Sequence, residues 1–175
     1  MNAFPQYKVP IDGTELHFLH VPGNGPAPVP LLLSHGWPGS VFEFLDIIPR
    51  LTDPARFGGD AADAVTVIAP SLPGYVLSFR PGQPRFGVEE IARTFARLMT
   101  EVLGYDRFAA QGGDWRSFIT SRLGYDVPER LIGIHLNMMP VRRDPTMISE
   151  PTPEKARYLE ELAVFLKEET GYQWI

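Results

Sequence analysis

The 175-residue chain carries 21 acidic and 16 basic side chains, and its net charge of −5 argues against a nucleic-acid-binding protein, which usually presents a basic face. No apolar run approaches the roughly 18 residues of a membrane span, and the N-terminal MNAFPQYKVP lacks the basic-then-apolar pattern of a secretory signal. The absence of cysteine excludes disulfides and thiolate metal sites. These properties are typical of a cytoplasmic globular protein.

The N-terminal residues predict a β-hairpin followed by a buried strand. Two strand-like runs, 7–11 and 14–21, flank Asp12-Gly13, which is a strong signal for a two-residue hairpin turn. After a loop rich in proline and glycine, 31–36 begins with a continuous apolar run. Such a run is typical of a strand that is buried on both faces.

Helices and strands alternate over the next hundred residues. The predicted elements are a helix at about 41–51 capped by Ser40, a strand at 64–70, a helix at about 88–103 stopped by Gly104, a strand at 107–113, a helix at 115–124 and a strand at 131–138. This alternation predicts an α/β fold, with a mostly parallel sheet flanked by helices.

A different layer is predicted after about residue 140. A polar, proline-rich connection leads to a helix at about 153–169, for which Thr152 is the expected N-cap and Pro153 the first residue. We therefore expect two regions, a core at 1–140 and a second region at 141–175.

An acidic residue stands at one strand-to-helix junction, in AQGGDWRSF (109–117). A strand, two glycines, Asp114 and a helix form the pattern of a nucleophile elbow, in which glycine relieves backbone crowding. The helix N-terminus favours an ionised carboxylate and would stabilise an oxyanion. No G-x-S-x-G motif occurs, which disfavours a serine esterase, whereas an aspartate suits attack on a carbon bearing a leaving oxygen or halogen. On this motif alone, Asp114 could equally be a helix cap in an Asx turn.

A second loop, SHGWPGS (34–40), follows the first buried strand. A tight turn there can point backbone N–H groups outward. Loops at the same ends of two parallel strands lie side by side, where open sheets bind ligands. Together the two loops would supply a nucleophile and an oxyanion hole.

Six motifs follow one another in a specific order. They are NAFPQY (2–7), HGWPGS (35–40), PSLPGY (70–75), QGGDW (111–115), HLNM (135–138) and EETGYQ (168–173). This set closely resembles α/β-hydrolase-fold epoxide hydrolases of the microsomal and juvenile-hormone type, over essentially the whole chain. The resemblance implies a bacterial-like soluble member that opens a small hydrophobic epoxide to a vicinal diol without a cofactor or metal. It also implies that 141–175 begins a helical cap.

The resemblance also implies the roles of individual residues. Asp114 would be the nucleophile, the backbone N–H groups of Trp37 and Trp115 the oxyanion hole, and Tyr172 the proton donor to the epoxide oxygen, a task that suits a phenol. The residues implied to shape the site are His35, Gly36, Pro38 after a cis peptide, Gly112 and Gly113. We expect His35 to order its loop by hydrogen bonding, and His135 to be buried in the core.

Three departures from the family pattern stand out. Arg116 occupies a usual glycine position, where it must swing outward or distort the elbow, and GYVLSFRP (74–81) replaces a GYGFSDRP-like form. The fold places its acid and base histidine after the nucleophile, yet only His135 follows Asp114. The chain is therefore interpreted as the central segment of such an enzyme, completed by a second chain or segment or by a homo-oligomer.

Two other functions stay open at this stage. A haloalkane dehalogenase also uses an aspartate followed by a tryptophan. A truncated, inactive pseudoenzyme or interaction module would keep Asp114 by descent alone, and Arg116 favours that interpretation.

Overall fold

The computed structural model describes residues 3–139 and 151–170. The strands are β1 (Gln6–Ile11), β2 (Thr14–Val21), β3 (Val29–Leu33), β4 (Val65–Pro70), β5 (Phe108–Gly112) and β6 (Leu131–Leu136). The α-helices are α1 (Ile48–Thr52), α2 (Val88–Arg97), α3 (Trp115–Asp126) and α4 (Pro153–Glu168). Short 3₁₀ turns lie at Val41–Phe44, Pro54–Phe57, Ala61–Asp63, Val76–Ser78 and Pro128–Arg130.

The six strands form one mixed sheet in the order β1-β2-β4-β3-β5-β6. The β1–β2 and β2–β4 pairs are antiparallel, and β4–β3, β3–β5 and β5–β6 are parallel. This arrangement confirms the predicted α/β fold. It also aligns the carboxyl ends of the four parallel strands at one edge of the sheet.

The N-terminal hairpin forms at the predicted turn. Ile11 pairs with Thr14, and Asp12 (φ 47°) and Gly13 (φ 80°) adopt the left-handed conformations of a two-residue turn. The Asp12 carboxylate accepts a hydrogen bond from Thr94 Oγ1 at 2.7 Å and pairs with Arg97. Both partners lie in α2, so these contacts fasten the hairpin to that helix.

Two apolar clusters cover the two faces of the sheet. Successive side chains of a strand point to opposite faces, so Leu32 and Leu33 of β3 belong to different clusters. The first cluster contains Phe95 of α2 and Ile119 of α3, and the second contains Ile48 of α1. This burial on both faces explains why the central strands β3 and β4 are largely apolar.

The predicted helix at 41–51 is wrong as a single element. A 3₁₀ turn at Val41–Phe44, capped by Ser40 Oγ, is followed by α1, with Pro49 in its first turn. Proline lacks the N–H that a continuous helix needs there, so the helix restarts around it. Similarly, α2 ends at Arg97 and continues as a π-helical turn, Leu98–Val102, before Gly104.

The chain divides into two compact units, Met1–Pro140 and Val141–Ile175. In the second unit, α4 begins as the sequence predicts, because Thr152 Oγ1 accepts a hydrogen bond from Lys155 N at 3.3 Å and Pro153 is the first helical residue. None of the helices in the described part of the chain has the length and apolar character needed to cross a membrane.

Candidate active site

The two loops that carry the predicted site residues leave the sheet side by side. Leu33, the last residue of β3, lies opposite Gln111 of β5, and Ser34 N donates to the Gln111 carbonyl at 3.4 Å. The loops at 34–40 and 112–114 therefore begin next to each other at the carboxyl edge of the sheet.

The turn at Asp114 is tight and strained. Asp114 has φ 52° and ψ −136°, a conformation that non-glycine residues rarely adopt, and α3 begins at the next residue. A side chain at Gly112 would overlap the Arg116 carbonyl, and one at Gly113 would overlap the Asn137 side chain. The two glycines therefore let the strand end, the helix and the loop after β6 meet at this turn.

The Asp114 carboxylate is exposed above the sheet and points to the neighbouring loop. Its Oδ2 accepts a hydrogen bond from Trp37 N at 3.0 Å, and a Cβ at Gly36 would lie 2.7 Å from the same oxygen. The carboxylate makes no capping hydrogen bond to α3, which argues against the Asx-turn interpretation. Among the described residues, none accepts a hydrogen bond from the Trp115 N–H, which opens α3 beside Asp114.

His35 is fully buried, with both ring nitrogens engaged. Its Nε2 accepts from Leu72 N at 3.0 Å, so its Nδ1 carries the proton and donates to the Gly36 carbonyl at 3.1 Å. Burial lowers the pKa of His35, which keeps the imidazole neutral. This ring links the loop after β3 to the loop after β4, and it has no free nitrogen with which to act as a base.

Arg116 does not swing outward into solvent, because its side chain lies across the turn and is largely buried. Its guanidinium donates to the Gly113 carbonyl at 2.9 Å, to the Ser34 carbonyl at 2.8 Å and to Glu43 Oε2 at 2.9 Å. It also lies over the Phe44 ring, 5.4 Å from the centroid. The contacts with Ser34 and Glu43 could not be predicted from the sequence, because both residues are more than seventy positions away.

The remaining residues singled out in the sequence agree with the structure to different degrees. The peptide between Trp37 and Pro38 is cis. His135 is exposed on β6, and the expectation of a buried core histidine is wrong because β6 is an edge strand of the described sheet. Tyr172 lies outside the described residues. Asn137, which contacts Gly113, is a residue that the sequence analysis missed, although it lies within the HLNM motif.

Within residues 3–139 and 151–170, no three histidine, aspartate or glutamate side chains cluster closely enough to hold a metal ion. The chemical groups that this site does present are a carboxylate, a backbone N–H bound to it and a second backbone N–H beside it.

Comparison with known proteins identifies the family to which the fold belongs. Residues 29–160 match the family model described as "alpha/beta hydrolase fold", and residues 1–44 match "Epoxide hydrolase N terminus". The chain is 41% identical to Epoxide hydrolase 1 of Oryctolagus cuniculus, over 82% of this chain and 32% of the relative. It is 38% identical to the juvenile hormone epoxide hydrolase of Bombyx mori, over 100% of this chain and 41% of the relative.

A solved structure agrees with these sequence relatives. The epoxide hydrolase of Aspergillus niger superposes with a TM-score of 0.73 at 30% identity, covering 98% of this chain and 44% of that one. The chain thus spans well under half the length of the relatives that it matches.

Proposed function

The chain belongs to the α/β-hydrolase-fold family, and from this premise we propose that it is part of an epoxide hydrolase whose nucleophile is Asp114. The observation that carries this proposal is the hydrogen bond from Trp37 N to Asp114 Oδ2 at 3.0 Å, made at a strained strand-to-helix turn. The match of residues 1–44 to the N-terminal region of epoxide hydrolases favours an epoxide as the substrate.

The first step forms an ester on Asp114. Because Oδ2 is bound to the Trp37 N–H, Oδ1 is the oxygen that attacks an epoxide carbon as the carbon–oxygen bond of the ring breaks. The epoxide oxygen leaves as an alkoxide and takes a proton from a phenol, for which Tyr172 is the proposed donor. The product is a hydroxyalkyl ester whose carbonyl oxygen is Oδ2.

The second step is hydrolysis of that ester. Water attacks the carboxyl carbon of Asp114, and negative charge develops on Oδ2. That oxygen already lies on the Trp37 N–H, and the Trp115 N–H would be the second donor. Collapse of the tetrahedral intermediate releases the vicinal diol and restores the carboxylate. Removal of a proton from the water requires a base, and the geometry of His35 excludes it from that role.

We further propose that 141–175 begins a helical cap and that Tyr172 belongs to it. A cytoplasmic location, and completion of the fold by a second chain or segment or by a homo-oligomer, stay predictions.

The test is covalent trapping on Asp114. We expect incubation with styrene oxide to add the mass of one epoxide to the intact protein, and the adduct to be lost in Asp114→Asn. The control is Asp126→Asn, which removes a carboxylate at the far end of α3, where Asp126 pairs with Arg122. It should leave the adduct unchanged. An adduct that persists in Asp114→Asn would contradict the proposal.

A short-lived ester requires a second measurement. If diol forms without an adduct, one turnover in H₂¹⁸O should place a single ¹⁸O in the peptide that contains Asp114, because water attacks its carboxyl carbon. Label found only in the diol would exclude the ester. Release of halide from a haloalkane, with no reaction of the epoxide, would favour the dehalogenase, and no reaction with either would favour the pseudoenzyme.

A further inference from the structure

Arg116 joins three segments that are distant in the sequence. Its backbone lies in the first turn of α3, and its side chain reaches the Gly113 carbonyl in the nucleophile turn, the Ser34 carbonyl at the end of β3 and the carboxylate of Glu43. Ser34 begins the loop that presents the Trp37 N–H. A single guanidinium therefore holds both of the loops whose contact defines the candidate site.

The geometry of these bonds requires an arginine. Nε and both terminal nitrogens each donate to a different acceptor, at 2.9, 2.8 and 2.9 Å. A guanidinium directs its N–H groups in one rigid plane, whereas an ammonium is a compact point charge on a flexible stem. A lysine at this position would keep the charge without making three divergent bonds.

The surroundings fix the guanidinium in place. The side chain of Arg116 is only 13% exposed, and its guanidinium lies over the ring of Phe44, which is itself buried. Glu43 supplies the countercharge, and a Cβ at Gly39 would lie 2.5 Å from the other oxygen of that carboxylate. The Glu43 side chain is thus packed against the loop that Arg116 holds.

We propose that Arg116 is a positioning residue that fastens the loop at 34–40 to the turn at Asp114, and so keeps the Trp37 N–H on the nucleophile. The inference rests on the proposed function for its kinetic consequence. We call these three hydrogen bonds of Arg116 the clamp; they are made by a residue that stands where the resemblance to the family implies a glycine. The interaction acts on the geometry of Asp114 and Trp37 and makes no contact with the substrate.

The clamp should affect the chemical step more than binding. Loss of the guanidinium leaves the carbonyls of Gly113 and Ser34 without this donor and lets the two loops separate. A displacement of about 1 Å in a reacting group can reduce a rate about a hundredfold. We therefore expect Arg116→Ala to lower the maximum rate of Asp114 alkylation by about tenfold to a hundredfold, with little change in the half-saturating epoxide concentration.

The experiment compares Arg116→Ala and Arg116→Lys with Arg122→Ala. Arg122 lies on the same helix, pairs with Glu89 at 2.5 Å and Asp126 at 2.7 Å, and lies over the Tyr125 ring, so it is a control for the loss of an ion-paired arginine of α3 that does not contact the turn. Alkylation by styrene oxide and amide hydrogen exchange of Trp37 are measured for each. Both Arg116 variants should alkylate slowly and exchange the Trp37 amide faster, while Arg122→Ala should match the unmodified protein.

Two outcomes would overturn the inference. One is an unchanged Trp37 exchange rate in Arg116→Ala, and the other is an Arg116→Lys protein that retains the full alkylation rate. Arg116→Lys keeps the charge and the aliphatic stem, so it reports on the bonds even if Arg116→Ala does not fold. If the unmodified protein shows no alkylation, the proposed function fails, and the exchange of Trp37 still tests the clamp.

Discussion

Three residues other than glycine adopt a positive φ in the described chain: Asp12, Val76 and Asp114. Aspartate tolerates this conformation better than most residues with a Cβ. Both aspartates also accept hydrogen bonds from distant parts of the chain, Asp12 from Thr94 Oγ1 and Asp114 from Trp37 N. Val76 is different, because a β-branched side chain in the left-handed region is strained. It stands where the related motif has a glycine, in the loop after β4.

Val76→Gly should stabilise the protein. The left-handed conformation costs a residue with a Cβ about 1–2 kcal/mol, and Val76 is 58% exposed, so its side chain contributes little packing. Glycine also makes the unfolded chain more flexible, at a cost of about 0.4–1 kcal/mol. We expect a net gain of about 0.5–1 kcal/mol in the free energy of unfolding, measured by urea titration.

Val76→Ala is the matched control for that gain. Alanine removes the two methyl groups and retains the Cβ, so most of the backbone strain should persist. A gain in Val76→Ala equal to that in Val76→Gly would show that the side-chain methyl groups, rather than the backbone, are the source of strain.

At the residue scale, the sequence predicts what is local. The glycines and the helix start around Asp114 are contiguous, so the turn can be inferred from the order of the residues. The clamp cannot be inferred in this way, because the partners of Arg116 are determined by which strands are neighbours. An arginine in place of glycine indicates only that the packing around position 116 differs from the family pattern, and it does not identify the partners of the side chain.

At the scale of elements, the hairpin and α2 are held together by one carboxylate. Thr94 is fully buried, and its hydroxyl donates to Asp12, which also pairs with Arg97. A buried hydroxyl without its acceptor costs about 1–3 kcal/mol. This single turn residue therefore serves both the local conformation and the contact between two elements.

Asp12→Ala should destabilise the protein by about 2–3 kcal/mol, because it removes the acceptor of Thr94 and places an alanine at φ 47°. Asp12→Asn keeps an oxygen acceptor and tolerates the left-handed conformation, so it should lose about 1 kcal/mol or less. Urea unfolding of the two variants checks this order. Equal losses would mean that the charge on Asp12, rather than its hydrogen bond or conformation, is what matters.

Helices and strands were predictable where the apolar periodicity and the turn residues agree. They were less predictable where a single residue breaks a periodic segment. The periodicity of the apolar residues at 41–51 is helical, yet Pro49 divides that segment into two short pieces. The prediction of the hairpin was correct because Asp12-Gly13 determines both the turn and the register of the strands.

At the scale of the whole molecule, alternating helices and strands predict a parallel sheet but not the order of its strands. The chain runs β3, β4, β5, whereas the sheet places β3 between β4 and β5. This crossover is what brings the loop at 34–40 between the loops that follow β4 and β5. His35 then bonds to the first of these loops, and Trp37 bonds to the second.

The buried His17 and His35 and the half-buried His20 should make the stability of the whole molecule sensitive to mild acid. Burial is the main cause that lowers the pKa of His17, His20 and His35 below the usual value of 6.5, with Lys8 adding to the effect at His17. Their neutral rings make specific bonds, such as that between His17 Nδ1 and Ser71 Oγ at 2.9 Å. The folded protein therefore resists protonation at positions where the unfolded chain binds protons.

The sign of the pH dependence follows from that difference. When the unfolded state binds more protons, the free energy of unfolding falls as pH falls. The stability contributed by the three neutral imidazoles is fully present above about pH 7, where the unfolded chain is also deprotonated, and it is lost as pH falls through their lowered pKa values. Urea titrations at pH 8, 7, 6 and 5 should show little change between pH 8 and pH 7 and a decline from pH 7 to pH 5, over a range in which the carboxylates stay largely ionised. His17→Gln and His35→Gln should each reduce the slope while lowering stability at pH 8, since each removes buried hydrogen bonds. A free energy of unfolding that is constant or rises from pH 8 to pH 5 would contradict this account of the core.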